Sequence, residues 1–393
     1  MIDGWMYQPS LYNRNAVTGG MRVKDLVREQ LQGLPRTVHG GTAWKLEGIE
    51  DYSHNLNPLG PPECLTELVE ESIAHIHHYP DDSCTDLRQV VAEHHGVEPD
   101  EVIIGSGSSE IIRNFPHVFI EPGDRALIPR PTFAEYSQQC NIVGAKVNDL
   151  LLLEAEDFRI DVERMSHRIT PSTKAIYICN PNNPTGRIEP RKKILEIVDM
   201  CRHKDVMVFL DETLLSLVPG HEDISCASFV GSYDNLMVAE SLTKSFAIPG
   251  IRIGYGLANK DVIESMDKVR MSWNVGAVEQ HVATTLIRDH SDHVRKAAKM
   301  MAVESEWAFH RLKEIGFPVD RKSDSYFYFN SVQSLRASGA EFQDRVKDSG
   351  FMVRDCASFG RPFERFIRFC VKDRHRNEAF IQAMHDAIGS LGW

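Results

Sequence analysis

Short continuous apolar runs, separated by polar and Gly/Pro-rich stretches, set the rhythm of the chain from about residue 100 onward. The runs lie at 102–104, 126–128, 175–178, 206–210 and 236–239, and a loop and then a helical pattern follow them. A strand that is apolar throughout is buried on both faces. The rhythm therefore predicts an α/β fold with a mostly parallel sheet covered by helices. Over the last hundred residues the pattern changes. Helical periodicity from about Asp289 to Ile315 is followed by strand-like segments at 326–330, 351–354 and 366–371, and by a final helix near 377–388. These predict a smaller α+β domain. No Pro/Gly linker interrupts 285–295, so one continuous helix is expected to cross that boundary. Upstream, Val23, Leu26, Val27, Leu31 and Leu34 recur at helical spacing and predict a docked amphipathic helix before the turn-rich His39-Gly40-Gly41. The resulting division is an N-terminal arm with part of the small domain over 1–80, a large ligand-binding domain over 81–290, and a small C-terminal domain over 291–393.

Composition narrows the functional classes. The 393 residues are 42% hydrophobic and 25% charged, enough for a sizeable core and a cleft. Lys+Arg 44 against Asp+Glu 56 gives 44 − 56 = −12, with no basic run, which argues against nucleic acid and anionic membranes as partners. The eight cysteines are scattered without a C-x-x-C pair or zinc spacing, so no metal site and a reducing, cytoplasmic location are expected. His75, His77, His78, His94 and His95 do not change this, since no carboxylate or cysteine completes a ligand set at a readable spacing. There is no fixed-period repeat, no basic-then-apolar leader, and no apolar run of the ~18 to 20 residues that a membrane span needs.

Candidate chemistry collects where strands end, which is where open α/β sheets bind ligands. After 102–104 comes GSGSSE, residues 105–110, a small-residue loop opening a helix that can aim N–H groups and the Ser108 and Ser109 hydroxyls at a phosphate. After 175–178 comes NPNNPTG, residues 180–186, which turn chemistry alone would also explain. Asp211 ends the next run, as a helix cap or as a functional charge. Lys244 follows the last run, in ESLTKSFAIPGIRIGY. There, partial burial would make its amine nucleophilic, whereas a solvated loop would not. Taken together, a phosphate loop, an asparagine turn, a strand-end carboxylate and a loop lysine are the parts a pyridoxal phosphate site requires.

On these motifs the chain from about His39 resembles the fold type I pyridoxal-phosphate enzymes of aminotransferase class I and II, in the branch of histidinol-phosphate aminotransferases and threonine-phosphate decarboxylases. The resemblance implies pyridoxal 5′-phosphate as cofactor, an aspartate aminotransferase-like fold and a homodimer. It implies Lys244 as the Schiff-base amine and later proton shuttle, and Asp211 as partner of the pyridine nitrogen. Asn183 is implied at the ring 3-oxygen, Phe133 of PTFAEY on the ring face, and Ser108, Ser109, Ser241 and Arg252 at the phosphate. Tyr79 would reach the phosphate of the neighbouring subunit. For a phosphorylated amino-acid substrate it implies Arg368 at the α-carboxylate and Arg354 at the phosphate, with His39, Asn57 and Asn183 as further contacts.

Within the branch, the His39-Gly40-Gly41 run, NLNPLG (55–60), PTFAEY (131–136), TKSFAIPG (243–250) and RDCASFG (354–360) resemble threonine-phosphate decarboxylases. The expected reaction is decarboxylation of L-threonine O-3-phosphate to (R)-1-aminopropan-2-yl phosphate and CO2, for cobamide biosynthesis. The alternative is histidinol-phosphate aminotransferase, with 2-oxoglutarate as amino acceptor. Two positions depart from pattern. Thr42 stands where the decarboxylases carry Asn, and Leu214 in DETL stands where the aminotransferases carry a tyrosine that bonds the ring 3-oxygen.

Overall fold

Alternate residues of the five apolar runs point to opposite faces of one sheet, and both faces are buried. Ile103, Ala126, Ile128, Tyr177 and Phe209 belong to one apolar cluster, whereas Ile104, Leu127, Ile176, Leu210 and Val238 belong to another. The computed structural model describes residues 26–37 and 43–392.

The chain divides into two units at Pro35/Arg36. In the described part of the first, the predicted amphipathic helix does not run through. Its last helical residue is Leu26, and Arg28 is extended (φ −49°, ψ 139°). A 3-10 turn at Glu29–Leu31 follows, so Leu31 and Leu34 do not continue a stripe, and Leu26 and Val27 are exposed. Val23 and His39 to Thr42 lie outside the described residues.

In the second unit, a short strand β1 (Glu50–Asp51) precedes β2 (Val102–Gly105), β3 (Arg125–Arg130), β4 (Lys146–Leu151), β5 (Thr173–Cys179), β6 (Met207–Asp211), β7 (Leu236–Ser241) and β8 (Gly254–Ala258). The seven-stranded sheet has the order β2-β8-β7-β6-β5-β3-β4, parallel except for β8, which is antiparallel to both neighbours. Two of these strands carry no apolar-run signal. β4 is an edge strand in which only Leu150 is buried, and β8 is glycine-rich.

A second, three-stranded antiparallel sheet is formed by β9 (Phe327–Ser331), β11 (Arg354–Asp355) and β12 (Phe366–Cys370), with β12 in the middle. The strand expected at 351–354 is in fact two. β10 (Phe351–Met352) pairs with β1, while β11 turns to β12 and sets Arg354 opposite Arg368. Between them Val353 is fully buried, pinning the change of partner.

The continuous helix expected across 285–295 is also two, Ala277–Asp289 and Ser291–Glu314. The break is His290, at φ −124° and ψ 17°. Its Nε2 lies 3.4 Å from Cys64 Sγ, and the Ser291 hydroxyl caps Ile287 O at 2.6 Å. A tertiary contact thus ends a helix that has no Pro or Gly to end it. No described helix is long and apolar enough to cross a membrane.

Candidate active site

Parallel pairing puts the carboxyl ends of β5, β6 and β7 side by side. Cys179 is in register with Asp211, and Asp211 with Ala239. The loop after β5 and the turn after β7 therefore flank Asp211, and the cavity they border is about 570 Å³. Ser108, Ser109, Phe133, Asn183, Asp211, Ser241, Lys244, Arg252, Arg354 and Arg368 all line it. The first eight come from the large sheet and its loops, and the two arginines from β11 and β12 of the small one.

Asp211 is buried and held from two sides. Tyr136 donates its hydroxyl to Oδ2 at 2.7 Å, and the Thr213 N–H donates to Oδ1 at 2.9 Å. Burial pushes the carboxyl pKa up, against the pull of those bonds. A cationic group entering the cavity would therefore stabilise its charged form. Lys244 sits on a single helical turn, Leu242–Ser245, capped by Ser241, whose Oγ accepts from Thr243 N at 3.2 Å. The amine reaches the cavity but is surrounded by protein. Burial, then the Arg368 and Arg252 charges, lower its pKa from 10.5 to about 8. Arg368 is buried on β12. It donates through Nη1 to Asn183 Oδ1 and through Nη2 to Ser53 O, while its Nε has no hydrogen-bond partner among the described residues. Arg354 donates to Ser358 Oγ at 2.8 Å.

An anion cradle lies at the start of the helix Ser108–Phe119. Gly107 there has φ +77°, and a Cβ on it would sit 2.6 Å from Arg252 Nη2, so only glycine lets the guanidinium close over the Ser108 and Ser109 end of that helix.

A family model for aminotransferase class I and II matches residues 48–384. The chain belongs to that family. Histidinol-phosphate aminotransferase of Moorella thermoacetica is 29% identical over 345 residues, covering 87% of this chain and 86% of the relative. A relative from Caldanaerobacter subterraneus subsp. tengcongensis, provisionally named a threonine-phosphate decarboxylase, is 29% identical over 347 residues, 88% of this chain and 92% of its own. Among solved structures, histidinol-phosphate aminotransferase from Sinorhizobium meliloti in complex with pyridoxal-5′-phosphate aligns with a TM-score of 0.82 at 20% identity, over 93% of this chain and 98% of that one. The fold is thus the aspartate aminotransferase-like one.

The cofactor of this class I and II enzyme is pyridoxal 5′-phosphate, and the cavity fits it. Asp211 is a buried carboxylate with no cationic partner among the described residues, Lys244 an amine of lowered pKa, and Gly107 with Arg252 a cradle that a Cβ would fill. Asp211 would hold the ring nitrogen, Asn183 the 3-oxygen, and Ser108, Ser109, Ser241 and Arg252 the phosphate.

Of the remaining expected residues, Asn57 is placed elsewhere, Tyr79 lies on the surface of this subunit, and His39 cannot be placed. Asn57 is buried behind the Lys244 turn, where its side chain donates to Ser245 O at 2.7 Å and its N–H to Lys244 O at 3.0 Å. It supports the lysine turn rather than lining the cavity. Tyr79 is exposed on the surface, stacked on Trp273 at 4.5 Å between ring centroids. His39 lies outside the described residues.

Two further residues line or brace the site, each with a partner three residues away in sequence. Tyr136 follows Phe133 by three residues, and the two rings meet edge-on at 5.7 Å between centroids. His54 follows Asp51 by three, and the two are in contact in the structure, Nδ1 to Oδ2 at 3.0 Å.

Proposed function

We propose that this enzyme decarboxylates L-threonine O-3-phosphate, giving (R)-1-aminopropan-2-yl phosphate and CO2 for cobamide biosynthesis. One observation carries the reading: Arg354 and Arg368, Cα partners on adjacent strands, line one cavity with Lys244. A phosphorylated amino acid carries two anionic groups at a short fixed separation, and two guanidinium groups on neighbouring strands match that demand. The provisional name of the Caldanaerobacter relative supports the reading, as does Leu214, which puts an apolar wall where the aminotransferases of the branch carry a phenol.

Bound pyridoxal phosphate supplies an electron-accepting ring that can take up the electron pair of a bond broken at the substrate Cα. This chain decides which bond. Arg368, fixed by Asn183 and Ser53, holds the carboxylate, and Arg354 holds the phosphate. Two anchored ends fix the rotation about Cα and so present the Cα–CO2 bond for cleavage. A tenfold preference over loss of the Cα proton needs only about 1.4 kcal/mol of such positioning. After CO2 leaves, the Lys244 amine, which carries a proton below its lowered pKa of about 8, returns a proton to Cα.

The active unit is a homodimer in this reading. Ile73, Ile76, Tyr79, Met271 and Trp273 are exposed large apolar residues, and Tyr79 and Trp273 stack together. A second copy covering them would remove them from water and bring Tyr79 toward the cofactor phosphate of the neighbouring subunit.

The name of the Moorella relative favours a second reading, amino transfer from histidinol phosphate to 2-oxoglutarate. Side-by-side turnover separates the two. With threonine phosphate alone, the first gives sustained CO2 release; with histidinol phosphate, the second requires the keto acid and gives glutamate.

A further inference from the structure

His54 is an imidazole at the substrate end of the cavity to which neither the cofactor nor the two arginines assigns a task. Its backbone is fixed over β12. Cys370 Sγ donates to His54 O at 2.9 Å, and Arg368 donates to the carbonyl of the preceding Ser53. Its ring is fixed by Asp51, whose Oδ2 is 3.0 Å from Nδ1, while Oδ1 of the same carboxylate accepts from Ser53 N at 2.7 Å and Ser53 Oγ at 2.6 Å. A carboxylate on Nδ1 keeps the proton there, so Nε2 is the nitrogen with the lone pair. Nε2 makes no hydrogen bond among the described residues, and the ring lines the cavity with Lys244, Arg354 and Arg368.

The charged and titratable groups around the ring are Asp51 on one side and Lys244, Arg368 and Arg354 on the other, with the Cys370 thiol on the backbone side. Burial lowers the imidazole pKa most, Asp51 opposes, and the three cations lower it further. In the free enzyme near neutral pH the ring is therefore neutral. A bare nitrogen beside two guanidinium groups cannot donate to an anion, and it would repel one. The arrangement changes when a dianion arrives, because the anion offsets the three cations and rewards a proton on Nε2.

We propose that His54, oriented by Asp51, takes up a proton from solvent as the phosphate of the substrate enters, and becomes the third cationic donor of the Arg354–Arg368 anion site. The inference rests on the reading of the substrate as a phosphorylated amine. It makes His54 a specificity-determining residue. A substrate without the phosphate brings only the carboxylate at Arg368, offsets less of the cationic field on the ring and so rewards its protonation less.

The test uses holoenzyme and 3-phosphoglycerate, which carries the carboxylate and phosphate of the substrate but no amine and so undergoes no chemistry. Calorimetry at pH 7.5 in two buffers of different ionisation enthalpy measures protons exchanged per ligand bound. The second ionisation of the ligand's own phosphate, near pH 6, contributes alike to every variant. Wild type is expected to take up protons, with affinity falling up to tenfold per pH unit above neutrality. His54→Gln should bind about tenfold more weakly, without uptake and without that slope. Asp51→Asn keeps the imidazole but removes its anionic partner, and should move the loss of affinity to lower pH. Unchanged affinity, uptake and slope in His54→Gln would overturn the proposal. So would failure of the wild type to bind the probe, and threonine phosphate turnover in the same preparation then decides whether the functional reading stands without it.

Discussion

Burial and two neighbouring guanidinium groups bring the Lys244 ammonium from 10.5 down to about 8, so the free amine forms as pH rises through that value. Attachment of pyridoxal phosphate to the apoenzyme should therefore speed up severalfold between pH 7 and 8.5 and level off above, followed by its visible absorbance. Lys244→Ala should hold no borohydride-reducible cofactor and lose at least about a thousandfold in turnover; normal turnover would remove the basis of the whole site. Arg368 makes a different demand. It is buried, held through both terminal nitrogens, and opposite Arg354. Arg368→Lys keeps one charge but not the planar fork, and should raise KM for threonine phosphate by ten- to a hundredfold while the cofactor stays bound. That Lys244, Asp211, Arg354 and Arg368 belong to one site was legible in the sequence, the first two because they follow apolar strands and the two arginines because they sit in runs that carry the family resemblance. His54 and Asn57 were not. One depends on a partner carboxylate three residues back, and the other on the Lys244 backbone nearly two hundred residues away.

Among the elements, all five strands foreseen from continuous apolar runs are present, since burial on both faces leaves that signature in sequence. The elements that escaped have their identity set by neighbours. β4 is a largely polar edge strand, β8 is an antiparallel strand among parallel ones, the helix break at His290 rests on Cys64, and 351–354 changes partners within four residues. β8 owes its glycines to close approach. A Cβ on Gly254 would lie 2.4 Å from Ser108 N and 2.8 Å from Glu240 O, both backbone atoms that cannot step aside. Gly254→Ala should push the start of the Ser108 helix away from the phosphate cradle, lowering Tm by a few degrees and cofactor affinity about tenfold. Gly250→Ala, where a Cβ meets nothing within 4 Å, should leave both unchanged. A thermal-shift assay with a cofactor titration compares the two, and equal behaviour would count against the cradle.

For the whole molecule, the exposed apolar surface and the chemistry make linked demands. Tyr79 is 75% and Ile76 61% exposed, more than a soluble monomer gains from showing. If the proposed homodimer forms through this surface, Ile76→Glu should shift sedimentation from dimer to monomer and weaken cofactor binding along with it, because Tyr79 would lose its proposed reach to the neighbouring site. A monomeric wild type would contradict that linkage. The central claim is that two arginines and a lysine in one cavity direct the cofactor to break the Cα–CO2 bond. The most direct measurement is to give the yellow holoenzyme threonine phosphate labelled with ¹³C in the carboxyl group, without any keto acid, and to follow the label. Stoichiometric release as ¹³CO2 together with aminopropan-2-yl phosphate is the expected result. Label retained in a 2-oxo acid, with the cofactor converted to its amine form, would contradict it.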